Sequence, residues 1–161
     1  MTDNQPKISS AIMDLLIQIP IFDTLDPDEL RIAVKYMNVV EAPPGEVVFR
    51  EGERGDYVCF VADGTLDVIK TSETGHHVAL STLHKGRSIG EMSMLDNFPR
   101  SATVQARTKA TLVTLTKQGF ETIVDDHPRI GVKILKGVAR LLSLALRKTS
   151  SRLADYMLPL S

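Results

Sequence analysis

Tryptophan is absent, aromatic residues make up only 5%, and a single cysteine, Cys59, stands in 161 residues. A lone cysteine rules out a disulfide within the chain and suits a reducing compartment. Charge of one sign is also lacking: 19 Lys and Arg against 20 Asp and Glu leave a formal net charge of −1. Nothing in that total attracts nucleic acid or an anionic membrane surface. Long apolar runs are missing too. Val58-Cys59-Phe60-Val61-Ala62 falls far short of the roughly 20 residues that span a bilayer. Asp3, Asn4, Gln5 and Pro6 bring no basic segment ahead of an apolar core, so no signal peptide is expected. These absences lead to the expectation of a cytoplasmic protein with neither nucleic acid nor membrane as partner. What remains is an ordinary globular balance, 43% hydrophobic and 24% charged. At this length the expectation is one domain over 1–161, with a helical appendage.

The chain reads as helix, then many short strands, then helix. Ile12, Leu15, Leu16 and Ile19 fall at helical spacing and end before Pro20. Asp26-Pro27-Asp28-Glu29 offers a capping carboxylate, proline at the first helical position and acids in the first turn, predicting a helix to about Met37. Residues 1–38 are thus read as N-terminal helices. From 39 to 116, runs of Val, Ile, Leu, Phe and Thr are broken about every ten residues by turn signals such as Pro43-Pro44-Gly45. Asp63-Gly64, between Val58–Ala62 and Thr65–Ile69, carries a strong hairpin signature. Ser72–Gly75 joins the next pair of strands as a longer loop. Evenly spaced strands without intervening helices predict a mainly β fold, an antiparallel β-roll of jelly-roll type with flanking helices. Residues 117–161 return to helical spacing. Asp125-Asp126-His127 before Pro128 reads as a cap for a long C-terminal helix. Along it, Leu135, Val138, Leu142, Ala145, Thr149, Arg152 and Tyr156 approach a heptad seam. That pattern suggests a moving element and a homodimer.

The segment from Gly90 to Ala102 interrupts the strands with a short helix-capable piece, Met92 to about Asn97. The first turn of such a piece has free N–H groups and makes an anion site. Gly90 permits close backbone approach. Arg100 presents a planar fork of donors matched to phosphate oxygens. Ser101 adds a hydroxyl, and Ala102 keeps the wall small. Glu91 is the odd member, because a carboxylate repels a phosphate unless another group needs an acceptor. A ribose 2′-hydroxyl is such a group, and in a 3′,5′-cyclic nucleotide it is the only free one. Glu91 for the sugar and Arg100 for the phosphate make one coherent site, and Arg100 balances the ligand's single charge without a metal.

Gly90-Glu91, Leu95 and Arg100-Ser101-Ala102 fall at the spacing of the phosphate-binding cassette of cyclic nucleotide-binding domains. The chain resembles that family, which includes catabolite activator protein, protein kinase A regulatory subunits and cyclic-nucleotide-gated channels. The resemblance extends through Phe22, Pro44-Gly45, Phe49, Glu51-Gly52, Gly64 and Leu66 and covers nearly the whole chain. It implies a β-roll whose Gly90, Glu91, Met92, Ser93, Arg100, Ser101 and Ala102 bind the ligand, cAMP by the lean of Ser101, with cGMP as the alternative. Relatives often place a polar residue of the C-terminal helix on the purine. Ser143, Arg147, Thr149, Ser150 and Ser151 are available here, but the register stays open.

The expected function is a stand-alone sensor, not an enzyme, that signals through a protein partner or its own oligomerisation. Neither a helix-turn-helix after the long helix nor a second cassette is expected. The alternative is a degenerate module of the same fold that binds nothing. A nucleotide-degrading enzyme is disfavoured: His76, His77, His84 and His127 form no metal-ligand spacing, and no Ser or Cys sits in a nucleophile motif. Cys59, inside an apolar strand, reads as a small core residue.

Overall fold

The computed structural model describes residues 8–157 and 159–160; the N-terminal stretch read for a leader lies outside them. Two short helices come first, α1 (Ser10–Leu16) and α2 (Pro27–Ala33), then a 3-10 turn, Val34–Tyr36. Eight strands follow: β1 (Met37–Ala42), β2 (Val47–Phe49), β3 (Tyr57–Asp63), β4 (Leu66–Thr71), β5 (His77–Leu83), β6 (Ser88–Ile89), β7 (Thr103–Ala106) and β8 (Ala110–Thr116). A second 3-10 turn, Glu91–Met94, lies between β6 and β7, and α3 (Lys117–Asp126) and α4 (Pro128–Tyr156) close the chain.

The strands form two four-stranded antiparallel sheets, ordered β1-β8-β3-β6 and β2-β7-β4-β5. The expected antiparallel β-roll with flanking helices is therefore the fold. The first sheet is covered on both sides. One face meets the second sheet, where Cys59, Val61 and Leu112 pack with Leu66 and Val104. The other meets the helices, where Val58, Phe60 and Leu115 pack with Leu16, Ile123 and Ile134. That is why Val58 to Ala62 reads as a continuous apolar run without alternation.

Asp63-Gly64 does not make the hairpin its dipeptide predicts. β3 pairs with β8 and β6, and β4 pairs with β7 and β5, so the chain changes sheets at this turn. Gly64 is still required. Its φ is +82°, and a Cβ there would lie 2.7 Å from Ala110 Cα, against the turn leading into β8. The dipeptide supplied the turn, and competition between strands decided what the turn connects. The Ser72–Gly75 loop does close a hairpin, with the Ser72 N–H donating to the His76 carbonyl at 2.7 Å.

α2 has the anticipated capping carboxylate, and Glu29 completes it to a capping box: the Glu29 N–H donates to Asp26 Oδ1 at 2.8 Å and the Asp26 N–H to Glu29 Oε1 at 3.1 Å. It stops at Ala33, short of Met37, because Met37 already pairs with Leu115 in the first sheet. The acids Asp125 and Asp126 end α3 and do not cap α4, whose N-cap residue His127 makes no side-chain cap bond. α4 is fastened to the body by three features. Lys133 Nζ lies 2.6 Å from Glu29 Oε1, and Arg140 pairs with Asp23 at 3.2 Å. Gly137 brings the helix so close that a Cβ would sit 2.6 Å from the Ile21 backbone. Val138, read as part of a dimer seam, is fully buried in the core of its own chain. From Ser143 to Met157 every residue of the chain is exposed.

Candidate functional site

The 3-10 turn after β6 begins on Gly90, whose φ of +88° admits no ordinary side chain at low cost. The turn spans Glu91–Met94, earlier and shorter than the helix expected over Met92 to Asn97. It turns Glu91 and Ser93 inward, 9% and 5% exposed, while Met92 stays 54% exposed. Pro99 bridges to Arg54 across the loop, and Lys117 Nζ holds Asn97 Oδ1 at 2.8 Å. The loop therefore delivers Arg100 to a fixed place under the roll.

Arg100 is 5% exposed. Its Nη1 donates to Ser93 Oγ at 3.0 Å and its Nη2 to the Tyr57 carbonyl at 2.8 Å. The guanidinium lies over the Phe49 ring, 3.9 Å from its centroid, and 4.7 Å from that of Tyr57. Nε is buried without a hydrogen-bond partner among the described residues. No carboxylate ion-pairs with this arginine among the described residues. Two glycines make room for it: a Cβ on Gly55 would lie 2.7 Å from Nε, and one on Gly90 would clash with Nη1. Glu91 faces the same space and accepts a hydrogen bond from the Ser88 hydroxyl.

All seven residues anticipated from the sequence, Gly90, Glu91, Met92, Ser93, Arg100, Ser101 and Ala102, line one cavity of about 270 Å³. Phe49 forms part of its floor, and Leu141, Leu142 and Ala145 of α4 close one side. Ser101 is exposed at the rim, and its carbonyl accepts a bond from Lys70 Nζ at 2.8 Å. Sequence reasoning did not assign Gly55, Tyr57 or Ser88 to the site. Gly55 was visible only as a turn residue, and Tyr57, which meets Arg100 through both its carbonyl and its ring, stands 43 residues away with no local signal joining the two. Cys59 lies behind this wall, and burial pushes its thiol up to about 12, so it stays protonated. No group of three or more His, Cys, Asp or Glu suited to a metal occurs among the described residues.

A two-sheet roll with a carboxylate on a short turn and an arginine on the loop after it, both lining one cavity that a C-terminal helix closes, defines the class of domain. The sequence profile of the cyclic nucleotide-binding domain matches residues 39–127, and the chain belongs to that family. It is 27% identical over 144 residues to a CRP-like cAMP-activated global transcriptional regulator of Mycobacterium tuberculosis, covering 89% of this chain and 62% of that protein. It is 35% identical over 130 residues to a cAMP-dependent protein kinase regulatory subunit of Yarrowia lipolytica, covering 79% of this chain but 34% of the subunit. The chain thus spans less than two thirds of the length of either relative. Among solved structures, a cyclic nucleotide-binding domain from Methylobacillus flagellatus superposes with a TM-score of 0.82 at 27% identity, covering 93% of this chain and 84% of that one. The Thermus thermophilus catabolite activator protein gives 0.77 at 28%, covering 85% and 62%. Among the described residues no helix is long and apolar enough to cross a membrane.

Proposed function

We propose that this domain is a sensor that binds a 3′,5′-cyclic mononucleotide, cAMP first, and passes occupancy to a protein partner or to a second copy of itself without turning the ligand over. One observation carries the reading. A guanidinium 5% exposed and with no carboxylate partner among the described residues is held facing a cavity that also presents Glu91. A buried charge is costly without a counter-charge, and a cyclic phosphate supplies one. Glu91 then accepts from the ribose 2′-hydroxyl. The names of the Mycobacterium and Yarrowia relatives, both cAMP-linked, support the choice of nucleotide.

The competing reading, a module that binds nothing, draws on the bonds Arg100 already makes to Ser93 and Tyr57. Thermal unfolding separates the two. A ligand that binds only the folded state adds about 2.7 kcal/mol of stability at a hundredfold excess over its Kd. A rise in Tm with cAMP, smaller with 2′-deoxy-cAMP, is the expected result. No shift at millimolar cAMP or cGMP leaves the non-binding module as the answer.

A further inference from the structure

The cavity has two walls of opposite chemistry. Glu91, Ser93, Arg100 and Ser101 lie along the turn and loop that carry the phosphate and sugar in the reading above, on which this inference rests. The wall left for the base comes from α4 and is wholly apolar: Leu141, Leu142 and Ala145. Burial of Ile130, Ile134 and Val138 in the core fixes the register of the helix. In that register none of Ser143, Arg147, Thr149, Ser150 or Ser151 lines the cavity. The opposite lip is Met92 and Phe98, both largely exposed. Asp96, the remaining polar side chain on the lining, accepts the Phe98 N–H at 3.1 Å. Two cations, Arg87 and Lys148, belong to an adjoining groove of about 430 Å³, which meets the cavity at Glu91, Leu141 and Ala145.

Adenine and guanine have the same ring shape and differ in the hydrogen-bonding groups on their edges. A site built to hydrogen-bond a group rejects an analogue lacking it by 10⁴-fold or more, whereas an apolar wall discriminates only weakly. We infer that this domain reads the phosphate and the sugar but not the identity of the purine, which it holds by apolar contact between α4 and the Met92–Phe98 lip. Its ligand class is the cyclic purine mononucleotides as a group. The choice between them falls to whichever is present.

Isothermal titration of the whole chain with cAMP, cGMP and cyclic IMP tests this. The expected result is three dissociation constants within about tenfold of one another, and a wider spread overturns the inference. Ala145→Gln, at an exposed position that leaves the core untouched, puts an amide on the base wall and is expected to open the spread beyond tenfold. An unchanged ratio in that variant shows that α4 does not face the base, which also overturns it. Failure of all three ligands to bind wild type is a different outcome and removes the cyclic nucleotide reading itself.

Discussion

Arg100 carries its positive charge into a space prepared for it on every side. Phe49 and Tyr57 offer their ring faces, Ser93 and the Tyr57 carbonyl accept its N–H groups, and Gly55 and Gly90 leave the room that a methyl would fill. Arg100→Leu removes the counter-charge of the phosphate and is expected to weaken cAMP binding by at least ~1.5–3 kcal/mol, the range for charge-assisted bonds. Arg100→Lys should recover only part of that, because an ammonium lacks the paired fork. Gly55→Ala displaces the guanidinium without touching any charge, so it should also weaken binding. Titration calorimetry of the three variants checks the set. Full affinity in Gly55→Ala would mean that the arginine's position does not matter. The arginine, the glutamate and Gly90 were legible in the sequence because their chemistry is rare at that spacing. Gly55 was not, since its contact with Arg100 joins residues 45 apart and has no local signature.

At the scale of elements, α2 is set by its first turn. The backbone N–H of Glu29, bonded to the Asp26 carboxylate, holds that carboxyl below the usual range. A group whose pKa is lower in the folded state contributes stability that is full above its unfolded value, about 3.9, and fades as pH falls through the lowered one. Asp26→Ala should therefore lower Tm by about 2–4 °C near neutral pH. Asp26→Asn, an equally good cap without a titrating proton, should keep Tm near neutrality and lose less of it in acid. Melting curves between pH 7 and 3 read both; identical acid profiles for the Asp26→Asn variant and wild type would exclude the carboxylate as a source of the loss. The Asp26 cap was readable from four consecutive residues. The end of α2 was not, because Leu115, 78 positions from Met37, claims Met37 for a strand. Asp63-Gly64 failed in the same way: local chemistry gave a turn, and distant strands chose its partners.

Over the whole molecule, α4 splits into two functional lengths. Up to Ala145 it packs on its own chain or lines the cavity, and beyond that, with Lys148 still bordering the adjoining groove, it runs on for about 16 Å at 1.5 Å per residue. Leu146, Leu153 and Tyr156 on this projection are 67%, 59% and 88% exposed and, with Leu142 and Thr149, alternate steps of four and three. An apolar strip of that kind is unusual in a monomer, and the spacing suits a second copy of the helix. Because the cavity wall lies on the same helix just before the projection, ligand occupancy is expected to change both association and hydrogen exchange over Ile134–Met157. Sedimentation of wild type and Leu146→Glu, each with and without cAMP, checks this: dimers are expected in wild type and monomers in the variant. A monomer in every sample, with unchanged exchange, would exclude both claims.

The order of strands also bears on how the chain is made. β8 stands between β1 and β3 in the first sheet, so a nascent chain that has not yet delivered Ala110–Thr116 from the ribosome has nothing to join β1 to β3. The β4–β5 hairpin is the one strand pair that closes locally, and β2 and β4 wait on β7 as well. Residues through Thr116 must therefore emerge before the first sheet can assemble, and residues through Ala106 before the second. The run Val58–Ala62, buried once folded, travels without its partner strand for that interval, which makes it an apolar stretch of the newborn chain open to a chaperone.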